Sequence, residues 1–457
     1  MSANRGVRLE TLGCRLNEAE LEAWSREFER RGFHVVGAGE PAALVVVNTC
    51  AVTQEAVRKS RQILRRAHRA DPSARLLVSG CLAALESEAL ARESGVDLVV
   101  TNGDKDRLVG IALEALSIPA MPELAIDEAA SLFARGRQRA FLKVQDGCRY
   151  QCTFCITTQA RGEERSRPIR ELVETVGRLA GQGLREIVLT GVHLGGYGSD
   201  LGTDLAALIR RLLDETDIRR IRLGSLEPWD LPEGFWHLFE DGRLMPHLHL
   251  PLQSGSDEVL RRMARRCKTD AFARLVGEGR AAVPDLNLTT DIIVGFPGET
   301  RDDWRRTLDL VRAMRFGHIH VFSFSPRAGT LAAGMPNRVD AETRKRRCQE
   351  LQALAEELRR DLLQEQIGRR ASVLFEGPPV LPPDTGRTGY TPNYLPVRLA
   401  PGLPIASNQL VEVHLTGVDP DGSTLIAELL DDLDGQESSS RCASTRPSPA
   451  AIWSRGF

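Results

Sequence analysis

The chain has 457 residues, of which 42% are hydrophobic and 27% charged, so its composition excludes a fibrous or wholly disordered protein. Sixty Lys and Arg residues against 62 Asp and Glu give a formal charge of −2, so any nucleic-acid site must be a local patch. The longest apolar run, residues 42–47, is far shorter than the roughly 20 residues of a membrane helix. No apolar signal-peptide core follows the N-terminus. We therefore expect a cytoplasmic protein with no membrane attachment.

Short apolar runs alternate with helical patterns over residues 1–120. Strands are predicted at 7–12, 43–48, 76–79 and 96–101, and helices at 18–31 and 54–69. Strands separated by helices of this length indicate βαβ units. The pattern predicts an α/β domain built on a doubly wound parallel sheet.

Cys14, Cys50 and Cys81 each follow the end of one of these strands. Ligands of such sheets bind outside the carboxyl ends of the strands, so the three side chains are expected to converge. Unrelated buried cysteines are the alternative, since free cysteine is often buried. Three thiolates favour a soft metal centre, and an iron–sulfur cluster suits them better than zinc because no fourth Cys or His lies near them in the sequence.

A second alternating series covers residues 138–367, after a predicted linker at 121–137. Its strands are predicted at 141–145, 186–190, 221–224, 247–252, 288–294 and 318–323, with helices such as 171–180, 205–213 and 302–314 between them. Six β/α units of this length predict a partial (β/α)6 barrel. The active site of such a barrel lies at the carboxyl rim of its strands.

A compact cysteine loop, Cys148-x3-Cys152-x2-Cys155, stands directly after the first strand of this series. Its spacing allows one loop to wrap a single cluster. A structural zinc site is the alternative, but such a site needs four closed ligands and the loop supplies three. Three cysteines on a four-iron cluster leave one iron free for a substrate or cofactor.

The cysteine loop on such a barrel resembles the radical S-adenosylmethionine (SAM) superfamily. Together with Thr11-Leu-Gly-Cys14-Arg-Leu-Asn17, Asn48-Thr-Cys50 and Ser79-Gly-Cys81, it is similar to the methylthiotransferase family within that superfamily. The resemblance runs over residues 7–430 and implies three parts. These are an N-terminal cluster domain, a radical SAM barrel and a small C-terminal RNA-binding β-barrel called TRAM.

The resemblance also implies the chemistry. Two [4Fe–4S] clusters would be held by Cys14, Cys50 and Cys81 (the auxiliary cluster) and by Cys148, Cys152 and Cys155 (the radical SAM cluster). SAM would be cleaved to a radical that abstracts the hydrogen at carbon 2 of an adenine, and the auxiliary cluster would present a methylated sulfur. A low-potential electron donor of the flavodoxin or ferredoxin type would be needed.

The segment from Leu189 to Gly198, with His193 and Tyr197, is similar to the subfamily acting on threonylcarbamoyladenosine beside the tRNA anticodon. Two alternatives remain open. The same chemistry could act on isopentenyladenosine or on a ribosomal-protein aspartate. A non-catalytic iron–sulfur RNA-binding protein is the alternative from a different class, although the presence of all six cluster cysteines argues against it.

Polar and aromatic residues at the strand ends are candidates for binding SAM. They are Thr190, Gly191, Ser225, Glu227, Gln253, Asp291, Phe296 and Pro297. Capping or core positions are the alternative for each. Two pairs of histidines, at 247 and 249 and at 318 and 320, share a face by the period of a strand, and we expect them to be structural, with no metal.

Two local basic patches are candidates for contact with the anticodon stem-loop of tRNA. One is formed by Arg58, Arg61, Arg65 and Arg69, which lie within about 80° on a helical wheel. The other includes Arg161 and Arg165, just past the cluster loop. A solvated face is the ordinary alternative; the position of the first patch close after Cys50 favours contact with phosphates.

The last part of the chain changes in composition after a predicted helix at 341–366. Short β-type runs at 371–375, 395–399, 409–415 and 423–429 predict a small β-barrel over residues 368–433. Residues 386–394 resemble the TRAM signature, in which Tyr390 and Tyr394 either stack on unpaired bases or pack in the core. Residues 434–457 are rich in Ser and Pro and predict a flexible tail.

Overall fold

The first part of the chain forms a parallel five-stranded sheet with helices on both faces. The computed structural model describes residues 5–93, 95–119, 126–129, 138–377, 385–403 and 405–430. The strands are β1 (Gly6–Thr11), β2 (His34–Val35), β3 (Leu44–Thr49), β4 (Arg75–Gly80) and β5 (Leu98–Val99), in the order β2-β1-β3-β4-β5. The helices are α1 (Arg15–Arg30), α2 (Gln54–Ala70), α3 (Cys81–Leu85), α4 (Ser87–Ala91) and α5 (Leu108–Ala115).

Alternation along β3 explains why the sheet is covered on both sides. Val45 and Val47 pack against α2, α3 and α4, whereas Leu44 and Val46 pack against α1 and α5. The predicted doubly wound fold is therefore confirmed. The strand order reverses between β1 and β3, and this is the point where such sheets open a crevice at their carboxyl edge.

The second part is an open partial barrel of six parallel strands. The six barrel strands are β6 (Arg139–Lys143), β9 (Glu186–Thr190), β10 (Arg220–Leu223), β11 (His247–His249), β12 (Asn287–Val294) and β13 (His318–Ser323). Two short strands, β7 (Gln145–Asp146) and β8 (Arg165–Ser166), lie outside the barrel. The helices are α6 (Thr157–Arg161), α7 (Ile169–Gly181), α8 (Leu205–Glu215), α9 (Asp257–Arg262), α10 (Thr269–Ala282), α11 (Arg301–Met314) and α12 (Ala341–Gln364).

Two three-stranded sheets, β10-β9-β6 and β11-β12-β13, make up this barrel, and a parallel bridge between Ser225 and His249 joins them. The short strands β7 and β8 form a separate antiparallel pair beside the first sheet. One face of the six strands packs on the surrounding helices. The other face encloses a space that we call the lumen.

The N-terminal domain closes the open side of the lumen. Ala19 of α1 packs against Phe141 of β6 and Val188 of β9 on their inner face. At the other end of the barrel, Gln54 at the start of α2 makes two hydrogen bonds to the loop after β13. Its backbone N–H donates to Ser325 Oγ (3.2 Å), and its side-chain Nε2–H donates to Pro326 O (3.1 Å). The domain therefore spans from the first strand of the barrel to the loop after the last.

The third part is a closed five-stranded barrel. Its strands are β14 (Arg370–Phe375), β15 (Thr388–Tyr390), β16 (Pro396–Leu399), β17 (Gln409–Val418) and β18 (Leu425–Leu429), in the order β14-β15-β16-β18-β17. Its core includes Val373, Phe375, Val397 and Val413. The predicted small β-barrel is confirmed. The predicted tail and most of the predicted linker lie outside the described residues.

The C-terminal barrel docks on the amino ends of the strands of the partial barrel. Arg222 of β10 donates to Pro392 O at 2.8 Å, and Arg220 donates to Ser372 O at 2.7 Å. Asn287, the first residue of β12, donates to Asn393 O at 2.8 Å. The bottom of the lumen is therefore covered by this domain.

Tyr390 and Tyr394 belong to this junction. Their rings stack on each other with centroids 4.7 Å apart, and the guanidinium groups of Arg139 and Arg222 lie over them at 4.8 and 4.5 Å. Of the two uses expected for these tyrosines, the structure shows packing, because their faces are already covered by other side chains.

Glu186 is the buried anion of the same junction and predicts a dependence of stability on pH. Burial disfavours its charged form, but Arg222, Arg139 and Arg220 hold its pKa at about 2, below the ordinary 4.5. A carboxyl whose pKa is lowered on folding stabilises the protein fully above the unfolded value and loses that effect as pH falls through the folded one. We expect the unfolding midpoint of wild type to drop relative to that of Glu186→Gln between pH 4.5 and about 2.

The measurement is the urea midpoint of both proteins across that pH range. Glu215→Gln on α8 is the matched control, because Glu215 is an exposed carboxylate paired with Arg211. A constant difference between wild type and Glu186→Gln at every pH would contradict the prediction.

Within the described residues, no helix is both long enough and apolar enough to cross a bilayer.

Candidate cluster-binding and catalytic site

Cys14, Cys50 and Cys81 meet at the carboxyl edge of the N-terminal sheet. Cys14 follows β1 and is exposed, Cys50 follows β3 and is buried, and Cys81 begins α3 and is buried. A side chain added at Gly13 would lie 3.2 Å from Cys50 Sγ, so the first two loops touch. Burial, together with the negative charge of the other two cysteines, raises the pKa of Cys50 to about 11. The three thiols are therefore close enough to act on one another.

The spacing of the sulfur atoms bears on which metal centre fits. Around one zinc ion with Zn–S bonds of about 2.3 Å, ligand sulfurs lie about 3.8 Å apart. Among the described residues, neither cysteine triplet brings all its sulfurs within 4.8 Å of one another. A cluster with four iron atoms needs the wider spacing, so both triplets fit an iron–sulfur cluster better than zinc.

The second cysteine loop is fixed by backbone contacts on both sides. Gly147 has φ +74°, and a Cβ there would lie 1.8 Å from Glu163 O, so only glycine fits before Cys148. The backbone N–H of Cys148 donates to Gly162 O at 3.1 Å. On the far side, Thr153 donates to Met263 O (3.1 Å) through its backbone and to Arg262 O (2.9 Å) through its hydroxyl.

Burial and nearby negative charges keep the thiols of Cys148 and Cys152 protonated when no metal is bound. Burial, with the negative charges of Glu227, Cys155 and Cys152, raises the pKa of Cys148 to about 12. Arg265 Nη1 lies 3.9 Å from Cys152 Sγ. Burial also raises the pKa of Cys152, so a bound metal is the means by which Cys148 and Cys152 would become thiolates.

A buried ionic network connects the two cysteine sites. Glu20 of α1 accepts hydrogen bonds from Lys105 Nζ (2.6 Å), Arg161 Nη1 (2.9 Å) and Asn48 Nδ2 (3.0 Å). The side chains of Glu20, Lys105 and Arg161 are each 1% exposed. Burial opposes the charge of Glu20, yet its cationic partners hold its pKa well below the usual range.

Members of this network are neighbours of the cluster cysteines in sequence. Arg161 also donates to Asp146 Oδ1 (3.0 Å), two residues before Cys148, and to Asn17 Oδ1 (2.8 Å), three residues after Cys14. The network therefore holds the two cysteine loops in a fixed relation. The predicted place of Arg161 in an RNA-binding patch is wrong, because its side chain is buried between the two domains.

His193, in the segment from Leu189 to Gly198, lies behind the second cysteine loop. Its Nε2 is 2.6 Å from Asp230 Oδ2, and its Nδ1 pairs with Glu164. Tyr150, two residues after Cys148, donates to Asp230 Oδ1 at 2.9 Å. Both ring nitrogens are thus engaged by carboxylates, which orient the ring, and Cys148, Glu164 and His193 each place one ligand-type atom within 4.8 Å of the other two.

Three of the predicted SAM-binding residues lie at the barrel rim on the side of the cysteine loop. Ser225 is exposed there. Glu227 has a buried oxygen, Oε2, with no hydrogen-bond partner among the described residues. Gln253 has φ +73°, an unusual conformation for a side chain other than glycine, and its N–H donates to Asp291 O at 2.8 Å. The orphaned carboxylate oxygen suits a cationic ligand.

The other SAM candidates are placed differently. Thr190 is buried, and the space beside Gly191 is filled by Gln145, whose Oε1 would be 2.9 Å from an added Cβ. Phe296 and Pro297 are buried, and Phe296 packs against Phe324 with no exposed surface. Their burial contradicts the predicted contact of these two side chains with SAM. Asp291 lies below the rim, facing the lumen.

The predicted RNA-binding arginines of α2 divide into two groups. Arg58, Arg65 and Arg69 are exposed, as is Arg165 beyond the second cysteine loop. Arg61 is different, because it is only 29% exposed and pairs with both Glu86 (2.6 Å) and Glu93 (2.9 Å), whereas Arg65 is 66% exposed and makes one longer ion pair, to Glu93 (3.4 Å). The charge of Arg61 is already neutralised within the domain, which removes it from the expected patch.

The exposed arginines give a prediction about tRNA binding. We expect Arg58→Gln, Arg65→Gln and Arg69→Gln together to weaken tRNA binding and to reduce the salt slope by about two to three units, because each phosphate contact contributes about 0.7–0.9. Fluorescence anisotropy at several salt concentrations measures both. The matched control removes the same charge from Arg211, Arg305 and Arg312 on the outer helices, which are 52%, 63% and 57% exposed. Equal salt slopes for the two triple variants would mean that the arginines of α2 form an ordinary solvated face without phosphate contacts.

Comparisons with known proteins agree with this arrangement. Residues 6–101 match the profile described as "Uncharacterized protein family UPF0004", and residues 142–311 match the "Radical SAM superfamily". The chain is 37% identical over 379 residues to the threonylcarbamoyladenosine tRNA methylthiotransferase MtaB of Thermotoga maritima, over 81% of this chain and 86% of the relative. It is 33% identical over 416 residues to the protein of the same name from Bacillus subtilis, over 86% and 89%.

Two further similarities bear on substrate and fold. The chain is 34% identical over 432 residues to the tRNA-2-methylthio-N(6)-dimethylallyladenosine synthase of Geobacillus kaustophilus, over 91% of this chain and 81% of the relative. Among solved structures, the radical S-adenosylmethionine methyltransferase TsrM from Kitasatospora setae is similar with a TM-score of 0.53 at 16% identity, over 72% of this chain and 77% of that one. This last similarity concerns the fold alone.

Proposed function

The chain belongs to the methylthiotransferase family of the radical SAM superfamily, and from that premise we propose that it adds a methylthio group to carbon 2 of N6-threonylcarbamoyladenosine beside the tRNA anticodon. It is a tRNA methylthiotransferase that uses two [4Fe–4S] clusters and SAM. When bound, these groups supply the one-electron chemistry and the sulfur, and the protein positions them. The target base, the modified atom and an electron donor of the flavodoxin or ferredoxin type are the proposed part.

The observation that carries the proposal is the connection of two separate cysteine triplets by one buried network. Arg161 follows the second cysteine loop and contacts both Glu20 of the N-terminal domain and Asp146 of the barrel. A reaction that must bring a hydrogen-abstracting site and a sulfur-donating site to the same carbon needs such a fixed separation. A protein that used only one cluster would have no need for it.

The barrel rim supplies the residues that would hold SAM. The unpaired carboxylate oxygen of Glu227 would accept a hydrogen bond from the ammonium group of SAM. Ser225 and Gln253 lie on the same rim. Arg58, Arg65, Arg69 and Arg165 would contact phosphates of the anticodon stem-loop.

The choice of substrate does not follow from overall similarity. Relatives named for threonylcarbamoyladenosine and for dimethylallyladenosine match the chain at 33–37% and 34% identity. The segment from Leu189 to Gly198 supports the first group by resemblance. The structure adds that His193 from this segment is buried beside the second cysteine loop.

Nucleoside mass spectrometry on tRNA tests the proposal, using a host that lacks its own methylthiotransferases, with and without this gene. We expect a new methylthio mass on threonylcarbamoyladenosine. The same mass on isopentenyladenosine would keep the chemistry and reject the substrate. If protein with both clusters shown by iron analysis produced neither, the proposal would fail in favour of a protein substrate or a non-catalytic RNA-binding protein.

A further inference from the structure

Three polar side chains meet on the inner face of the last three barrel strands. His249 of β11, Asp291 of β12 and His320 of β13 each place one ligand-type atom within 4.8 Å of the other two. We call them the lumen triad. The register of the strands explains the meeting, since His249 pairs with Thr289 and Asp291 pairs with His320 across neighbouring strands.

Alternation along the strands fixes the direction in which the triad faces. Leu248, Ile292 and Ile319, the sequence neighbours of the three, belong to the core between the strands and the outer helices. In a strand, successive side chains point to opposite faces. The triad therefore points into the lumen, and His320 is exposed there.

The triad is partly organised and partly unsatisfied. His249 Nδ1 lies 2.9 Å from Thr289 Oγ1, and His249 Nε2 lies 3.3 Å from Asp291 Oδ1. His320 contacts the rings of His249 and His318, but its ring nitrogens have no hydrogen-bond partner within the part of the chain that is described. The ring nitrogens of His320 are therefore able to form hydrogen bonds with a ligand in the lumen.

A cation from the other domain enters the same lumen. Arg15, next to Cys14, lies over the ring of Phe141 on the inner face of β6, with its guanidinium carbon 5.2 Å from the ring centroid. Burial lowers the pKa of His320 and the positive charge of Arg15 lowers it further, while the same charge opposes the burial that raises the pKa of Tyr390. Arg15 Nη1 also pairs with Glu18 at 3.1 Å on the exposed side of α1. The lumen therefore offers a cation, ring N–H donors and one carboxylate acceptor.

We propose that the lumen triad, together with Arg15, recognises a polar, carboxylate-bearing substituent on N6 of the target adenine. This inference rests on the proposed function and deepens it. Carboxylate, hydroxyl and ureido groups would pair with Arg15, His320 and Asp291. A hydrocarbon substituent would desolvate the same groups without replacing their hydrogen bonds, and sites built to bind a polar group discriminate strongly against its absence.

The test compares two anticodon stem-loops that differ only in carrying threonylcarbamoyladenosine or adenosine. Their affinities for the cluster-loaded enzyme, without reductant, are measured by fluorescence anisotropy. We expect wild type to prefer the modified stem-loop by roughly tenfold or more. His320→Leu should bring this ratio close to one. His320→Gln, which keeps an N–H donor, should retain much of the preference.

Controls separate the possible failures. His237→Leu removes a histidine that is 81% exposed outside the lumen, and iron content verifies folding of every variant. An unchanged ratio in His320→Leu would overturn the inference while leaving the proposed function in place. A mononuclear metal that is present in wild type and lost in His320→Leu would also overturn it, assigning the triad to metal binding. If wild type formed a methylthio product only on isopentenyladenosine, the proposed function itself would fail.

Discussion

Replacing Cys14 with alanine should remove methylthio transfer completely while SAM cleavage continues. Cys14 is one of the three cysteines of the N-terminal site, and the one hydrogen bond of its sulfur to another described side chain goes to Asn17 Oδ1 at 3.9 Å. Because Cys14 is exposed, losing its sulfur leaves no cavity in the core. Iron content should fall from about eight to about four atoms per chain, as expected for loss of one of two four-iron clusters.

Iron analysis, 5′-deoxyadenosine release and nucleoside mass spectrometry on the same sample measure the three quantities. Cys348→Ala is the control, since Cys348 lies on α12 at the edge of the barrel core and should keep all three. Cys148→Ala should instead abolish SAM cleavage and retain the cluster of the N-terminal site. If Cys14→Ala abolished SAM cleavage with its second cluster intact, the assignment of separate roles to the two sites would be wrong.

Glu20→Gln should destabilise the cluster-free protein by about 3–5 kcal/mol. The substitution preserves shape but leaves Lys105 and Arg161 without the anion they share, and both side chains are 1% exposed. A buried cation without its partner is costly because the protein interior solvates charge poorly. Urea unfolding measures the loss, and hydrogen exchange in α1 and α6 locates it.

Two variants test the physical reason. Glu27→Gln changes the same charge on the same helix at a position 30% exposed, and should cost at most about 1 kcal/mol. Arg161 keeps its pair with Asp146, so Lys105 is the cation left without a carboxylate partner. Adding Lys105→Met to Glu20→Gln removes that cation, so the double variant should be more stable than Glu20→Gln alone. If the two substitutions simply added, the network would not be electrostatically coupled.

The cysteine sites were predictable because their positions depend on topology. Each cysteine of the N-terminal site follows a strand, and a parallel sheet brings strand ends to one edge whatever the intervening sequence. The second loop is contiguous, so its spacing alone predicts that its thiols lie together. For the same reason most strands were found, except pieces such as β2, which at two residues is too short to show a pattern.

The pairing of charges was not predictable, because it depends on residues far apart in sequence. Arg61 belongs to a helix that looks uniformly basic, yet Glu86 and Glu93 from later segments neutralise it. Arg161 looked like an exposed arginine until the two domains were placed together. One signal was available: Glu20 stands four residues before Trp24, in the same apolar stripe of α1, where a lone charge implies a buried partner.

The attachment of the C-terminal barrel has a consequence for how this protein can be cut or recombined. Arg220 and Arg222 are buried at the amino ends of the central strands and depend on backbone carbonyls of the neighbouring barrel, including those of Ser372 and Pro392. Deleting the C-terminal barrel would leave the guanidinium groups of Arg220 and Arg222 without these hydrogen-bond acceptors. A shortened enzyme, or a chimaera with a foreign RNA-binding module, would therefore have to exchange these strand-end arginines along with the module.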